Sequence, residues 1–491
     1  MSTTTRPPGG YTRGRTTRRL ACLALTASAL TFLGATHGQD LSRLQGLLAS
    51  TPEGGWVKVN TGTYSSAWPT GSTAVSTLYP QGSPASIELA WGSFAWDSNS
   101  AQLLLWGGGH ANYAGNEMYS WKADTGLWER ASLPSKTLPI PGSTTNQYYV
   151  VDNAAPVASH TFDGSIFLPV NNMFANFNGP SWNSGDRGKT YVNGVESNSG
   201  PWLFDPTKAN PNKVGGTTGS GYDPSSLGGD MWVNRYGQWT GTEGPYAPYV
   251  TTAYRNEGGK DVVYLTMDQG ASHFPKLYRY TFGDVRNGAL DSWEFVGVTT
   301  NSVIRGGTGT IDSAHNLLVR TSLDDNLGDL AIWKLANSSA ANPHGNPDVA
   351  IQLVTPNGSG FLTNDFMAIE YDDANDQFII WDTSADGMVW STKATYLPNG
   401  QLAPTWVITQ LNSTTTAQPT GNSQTGVFGK FKYVAELDAF IALDEYSQAT
   451  GDTGVWLYKP FASAVPEINP AAMFLIGGAV IGWRSRRRAP H

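Results

Sequence analysis

The sequence predicts an all-β protein: a six-bladed β-propeller closed by its N-terminal strand, with seven blades as the alternative. Three observations predict it. An apolar strand, an acidic tight turn and a second apolar strand recur along residues 54–460. A third strand, and often a fourth, follows each pair, which is the period of a propeller blade. The composition, with 56 Gly, 29 Pro, 18 Trp and only 14 % charged residues, excludes coiled coils and charge-driven disorder.

The paired strands come in order. Phe94–Asp97 precedes Leu103–Trp106, and His160–Asp163 precedes Ile166–Leu168. Thr252–Tyr254 precedes Val262–Leu265, and Thr310–Asp312 precedes Leu317–Val319. Ile369–Asp372 precedes Phe378–Trp381, and Tyr433–Glu436 precedes Phe440–Leu443. Short apolar runs bounded by Asp, Asn and Gly are strands joined by tight turns. Third strands follow at Glu117–Trp121, Trp202–Phe204, Leu277–Tyr280, Leu330–Trp333, Met388–Trp390 and Val455–Tyr458. Fourth strands begin at Trp128, Trp293 and Trp406, with Ile351–Val354 in the fourth unit. The sixth unit lacks a fourth strand, and Gly54–Val59 is a spare one, so the N-terminal strand is expected to complete the last blade. The second unit is long, and Met231–Val233 is where a seventh blade would lie.

The ends differ from the body. Residues 1–38 form a secretory signal peptide: arginines up to Arg19, an apolar run from Leu20 to about Leu33, then small residues from Ala35 to Gly38. The single cysteine, Cys22, lies inside it. The processed chain therefore has no disulfide, thiolate metal site or cysteine nucleophile. Five N-terminal and four C-terminal arginines and Glu467 lie outside residues 40–463. Without them the totals of 31 basic and 39 acidic residues become 22 and 38, a net charge of −16. An acidic body repels phosphate backbones, so nucleic acid is not an expected partner.

At the other end stand Val465-Pro466-Glu467, an apolar stretch Ala471–Trp483 and an arginine cluster from Arg484 to Arg488. Residues 464–491 resemble the PEP-CTERM sorting tail of Gram-negative bacteria, although Ile468 stands where that family usually has proline. The resemblance implies processing by an exosortase-type peptidase and delivery to the cell surface. Thirteen helical residues span about 20 Å, short of a hydrocarbon core of about 30 Å. The expectation for 471–483 is therefore transient membrane contact and not a stable transmembrane helix.

Within the body, Leu105-Trp106-Gly107-Gly108-Gly109-His110, then Gly115 to Tyr119 and Trp128, resemble a kelch repeat of the galactose-oxidase-like propellers. That resemblance implies two working faces. First-to-second strand turns lie on one face. Second-to-third strand loops and blade-to-blade links lie on the other. Three turns of the first set are tight here, Asp97 to Gln102, Asp163-Gly164 and Asp312 to Asn316, whereas the second set holds the long segments 62–90, 132–158, 171–200 and 215–249. Long loops on a rigid scaffold usually carry binding. Copper-radical chemistry of the galactose-oxidase kind would need a cysteine that the processed chain lacks.

His110, His160 and His273 sort to the long-loop face, and His315 and His344 to the other. His160 is expected to begin an innermost strand near the ring axis. Two readings of this face compete with a structural one. As a binder of extracellular polysaccharide, it would use Asn116, Glu117, His273, Arg305, Arg320 and Asp268 as ligand contacts. As a polysaccharide lyase, His110 and His160 would exchange protons, Tyr113 would donate one and an arginine would neutralise a uronate. In the structural reading His110 and His160 satisfy buried backbone groups. A protein-interaction scaffold is the remaining alternative. The sequence shows no tight metal-ligand spacing and implies no cofactor; Asp324-Asp325 and Asp372-Asp373 are expected to be solvated turns.

Overall fold

The computed structural model describes residues 40–71, 82–109, 112–139, 148–150, 154–177, 189–192, 195–198, 200–217, 224–240, 250–267, 275–301, 306–321, 329–361, 367–382, 387–422 and 425–461. The expected signal peptide (1–38) and the expected sorting tail (464–491) lie outside them. No helix among the described residues is long and apolar enough to cross a membrane.

The described residues form a β-propeller. Their strands build six four-stranded antiparallel meanders, sheets one to six, and two separate two-stranded ladders, Thr137–Pro139 with Tyr148–Val150 and Lys189–Val192 with Val195–Asn198. The first runs Ser93–Asp97, Gln102–Trp106, Tyr119–Lys122, Trp128–Arg130. The third runs Val250–Glu257, Lys260–Met267, Lys276–Thr281, Asp291–Gly297, with Trp239–Thr240 added parallel to its outer edge. The fourth, beginning with Gly309–Asp312, and the fifth, beginning with Ala368–Asp372, join through parallel pairing of Val349–Val354 with Thr405–Leu411. Second strands are buried on both faces, which explains the nearly continuous apolar runs QLLLW, QFIIW and AFIAL.

The ring closes as expected in the sixth sheet, which runs Phe431–Val434, Ala439–Leu443, Val455–Lys459, Gly55–Lys58. Gly55–Lys58 pairs antiparallel with Val455–Lys459, setting Trp56 opposite Tyr458. The Trp56 indole donates to Gly387 O at 3.0 Å and packs against Trp381, Phe431 and Tyr458. Closure leaves no exposed edge at the seam. The helix Ser42–Ser50, which the sequence pattern did not anticipate, buries Leu44 and Leu48 beside this seam. Arg43 Nε donates to Ala123 O and its Nη1 to Val59 O, both at 2.8 Å.

The second sheet departs from the expected register. Its strands are Ser165–Leu168, Met173–Asn176, Trp202–Phe204 and Trp232–Asn234. His160–Asp163 is therefore not its first strand, and Met231–Val233 supplies its fourth strand instead of a further blade. The Asp163-Gly164 pair looks like a hairpin turn in the sequence. The real turn is Pro169–Asn172, where Asn172 takes a left-handed φ of 55°. Asp163 is held elsewhere, on the ring axis.

Candidate functional site

The segment 160–164 crosses the axis at the long-loop end. Ser93 N, at the start of sheet one, donates to Thr161 Oγ1 at 2.7 Å. The fully buried Asp163 carboxylate accepts from Thr252 N of sheet three at 2.9 Å and from Gly309 N of sheet four at 3.0 Å, both on Oδ2. Its Oδ1 lies 3.4 Å from Lys432 Nζ of sheet six, and the same ammonium lies 3.0 Å from Glu370 Oε1 of sheet five. One carboxylate thus ties the innermost strands of three other sheets, and Lys432 brings in a fourth. Gly429 lets the sixth sheet approach, because a Cβ there would sit 2.8 Å from Ser93 Cβ and 3.0 Å from Asp163 Oδ1.

Electrostatics follow burial. Burial raises the pKa of Asp163, partly opposed by Lys432 and the two backbone donors. Burial likewise raises Glu370, again opposed by Lys432. Burial alone would lower Lys432, but Glu370 and Asp163 outweigh it and hold the ammonium above its ordinary range. The cluster carries one ammonium between two carboxylates at the bottom of a channel.

The channel is a cavity of about 400 Å³ lined by the first strands of all six sheets. Ser98, Pro169, Asp373 and Glu436, from first-to-second strand turns, place its mouth on the short-turn face. Trp96, Tyr254, Tyr371 and Tyr433 line its wall, with Lys432 and Glu370 among them. The Trp96 indole N–H has no hydrogen-bond partner among the described residues. Lining charge is negative: Glu370, Asp373 and Glu436 against Lys432.

The residues singled out in the sequence fall into two groups. His110, His273, Asp268 and Arg305 lie outside the described residues. The others can be placed. His160 is buried, its ring 4.7 Å from that of Trp91 and its Nε2 2.9 Å from Asn112 Oδ1. Gly109, at φ 68°, makes room for it: a Cβ there would fall 1.4 Å from His160 Cδ2. Far from opening an innermost strand, His160 stands five residues before Ser165, because the chain must first cross the axis.

Tyr113, Asn116 and Glu117 share one buried loop with Asn112. Tyr113 Oη donates to Glu117 Oε1 at 2.6 Å, and Tyr119 Oη donates to the same oxygen at 2.8 Å. Burial raises the Glu117 pKa, which both tyrosines oppose. Asn116 Nδ2 donates to Pro156 O at 2.8 Å, and its Oδ1 accepts from Ser135 N at 2.7 Å, so its amide braces the following loop. Arg320 is buried in sheet four, where Nη2 donates to Gly306 O at 2.6 Å.

Sequence reasoning missed the axial cluster. Asp163 has the sequence context of a turn residue, and Lys432 and Glu370 sit in strands whose partners across the ring only closure reveals. It also missed two buried ion pairs, Arg235 with Asp291 at 2.6 Å and Lys430 with Glu88 at 2.8 Å. For Lys432 and Glu370 the available signal was a charged residue inside an otherwise apolar strand.

No family model matches the chain, and no curated protein matches it. Among solved structures it is similar to a chain of a mitotic checkpoint complex: 10 % identity, TM-score 0.30, covering 91 % of this chain and 99 % of that one. It is also similar to a chain of Kuenenia stuttgartiensis hydrazine synthase: 10 % identity, TM-score 0.33, covering 76 % and 96 %. At these scores neither likeness says anything about what this chain does. The class is carried by the chain's own strand pairing: a β-propeller, a scaffold suited at a coarse level to binding.

Proposed function

We propose that this is an exported, surface-directed β-propeller that binds extracellular carbohydrate, taking the end of a glycan chain into the axial channel. The observation that carries the reading is the channel itself. Its volume lies near the lower end of the roughly 300–1,000 Å³ of small-molecule sites. Lys432 and Glu370 set a donor and an acceptor 3.0 Å apart, a spacing that neighbouring sugar hydroxyls bridge. Aromatic walls offer faces for sugar C–H groups. Three carboxylates against one ammonium favour a neutral or amino sugar over a uronate. The signal peptide, the cysteine-free body and the sorting tail support an extracellular setting.

The lyase alternative is less well supported. His160 is packed against Trp91 and Asn112, and the Tyr113 hydroxyl is bonded to a buried carboxylate. The test is calorimetric titration with neutral, amino-sugar and uronate oligosaccharides, while following the ultraviolet absorbance of any unsaturated uronate. Binding of a neutral or amino-sugar chain end, weakened about tenfold or more in Tyr433→Ala, with no absorbance rise, is expected. Undiminished binding in Tyr433→Ala would reject the channel as the site. A catalytic rise with uronates would reject a pure binder.

A further inference from the structure

Sheets one, four and five turn from their first to their second strand by the same device. An aspartate closing the first strand accepts the N–H of the residue three positions on: Ser100 to Asp97 at 3.0 Å, His315 to Asp312 at 2.8 Å and Asn375 to Asp372 at 3.1 Å. The next residue is left-handed, at φ 49° for Ala101, 58° for Asn316 and 49° for Asp376. This device explains the aspartates. It requires neither an imidazole at 315 nor a carboxylate at 376, since Asn375 and Ala101 serve those positions in other sheets.

At the junction of sheets four and five these two additions meet. His315 Nδ1 lies 2.8 Å from Asp312 Oδ2 and 3.6 Å from Asp376 Oδ1. One ligand atom from each of the three residues falls within 4.8 Å of the others. Asp312 is fully buried, so its carboxylate is fixed, while the other two are open to solvent. Asp376 is oriented from outside, because Tyr371 Oη donates to its Oδ1 at 2.6 Å. The Tyr396 ring covers the imidazole, with centroids 5.3 Å apart. A tetrahedral ion with bonds of about 2.0–2.1 Å holds its ligand atoms about 3.3 Å apart, and the two distances at His315 Nδ1 straddle that value. One imidazole nitrogen and two carboxylates suit a borderline divalent ion, with water in the open position. Calcium takes six to eight oxygens and suits the set poorly.

We propose that Asp312, His315 and Asp376 form a three-ligand site for a zinc-class divalent cation that pins sheet four to sheet five at the rim of the channel mouth. Such an ion would staple two sheets whose outer strands are already paired, and a hydroxyl bonded to the ligand carboxylate from behind, as Tyr371 is to Asp376, is what such sites use to fix a ligand.

The site is tested on the full chain, stripped with chelator and titrated with Zn²⁺ by calorimetry, with melting temperature as a second readout. His315→Asn copies the turn of sheet five and removes only the imidazole; Asp376→Asn removes the carboxylate from the neighbouring sheet. The expected result is one Zn²⁺ per chain in the wild type, a Zn²⁺-induced rise in melting temperature, and affinity weakened about tenfold or more in each variant. Metal-free His315→Asn should melt with the wild type. Zn²⁺ uptake unchanged in both variants, or no stoichiometric uptake by the wild type, would overturn the assignment.

Discussion

Replacing Asp163 by alanine should loosen the ring at its centre. The substitution leaves two buried backbone donors, Thr252 N and Gly309 N, without their acceptor, and leaves Lys432 with Glu370 alone. Each orphaned buried donor costs about 1–3 kcal/mol. Removing a carboxylate that burial already disfavours returns part of this. The net expectation is a loss of about 3 kcal/mol at neutral pH. For the roughly 420 residues of the body, an unfolding entropy of about 2.1 cal/mol/K per residue converts this into a melting temperature lower by about 3–4 °C. Asp163→Asn keeps an oxygen for the two N–H groups but turns an amide N–H₂ toward Lys432, so it should cost about half as much. The assay is differential scanning calorimetry at neutral pH on wild type and both variants. A melting temperature for Asp163→Ala equal to wild type, or no lower than for Asp163→Asn, would refute the hub. The partner side has its own pH signature. Lys432 is held above its ordinary 10.5, so its contribution is fully present below that value and is lost only as the pH rises further.

Two further outcomes are expected. Glu117 has a folded pKa raised above its ordinary 4.5, so wild-type stability should fall as the pH rises through the window above that value. Glu117→Gln should remove this slope and melt at or above the wild-type temperature at neutral pH; a steeper slope in the variant would contradict the assignment, and chemical denaturation across the window reads it. Trp56→Ala should lose about 3–5 kcal/mol and open the seam, seen as faster proteolysis near the N-terminal strand; unchanged protection would mean that the closing strand contributes little.

The sequence made the repeat legible because second strands buried on both faces leave long apolar runs next to Asp turns. Sheets one, three, four, five and six could be located this way to within a few residues, and Trp56 pointed to the seam. The second sheet was misplaced because Asp163-Gly164 imitates a turn while serving as a tie across the axis. That role depends on partners 89 and 146 residues away, which no local pattern encodes. The helix Ser42–Ser50 was hidden for a related reason. Its apolar stripe is short and follows a far stronger apolar run. The channel's position was illegible too. Loop length pointed to the long-loop face, much of which lies outside the described residues, whereas the cavity among the described residues opens at the short turns.

The seam also decides how the wheel would bear load. A pull on the chain at residue 461 enters through Val455–Lys459, which has hydrogen-bonded neighbours on both sides, Ala439–Leu443 and Gly55–Lys58. Lys459 Nζ further ties the strand to Leu48 O at 3.2 Å and Thr51 O at 3.1 Å. Tension along an inner strand must shear two ladders together, whereas an edge strand would peel away one rung at a time. A propeller held by its C-terminal end in moving fluid would thus be gripped at one of its mechanically strongest strands, the grip supplied by residues at the opposite end of the chain.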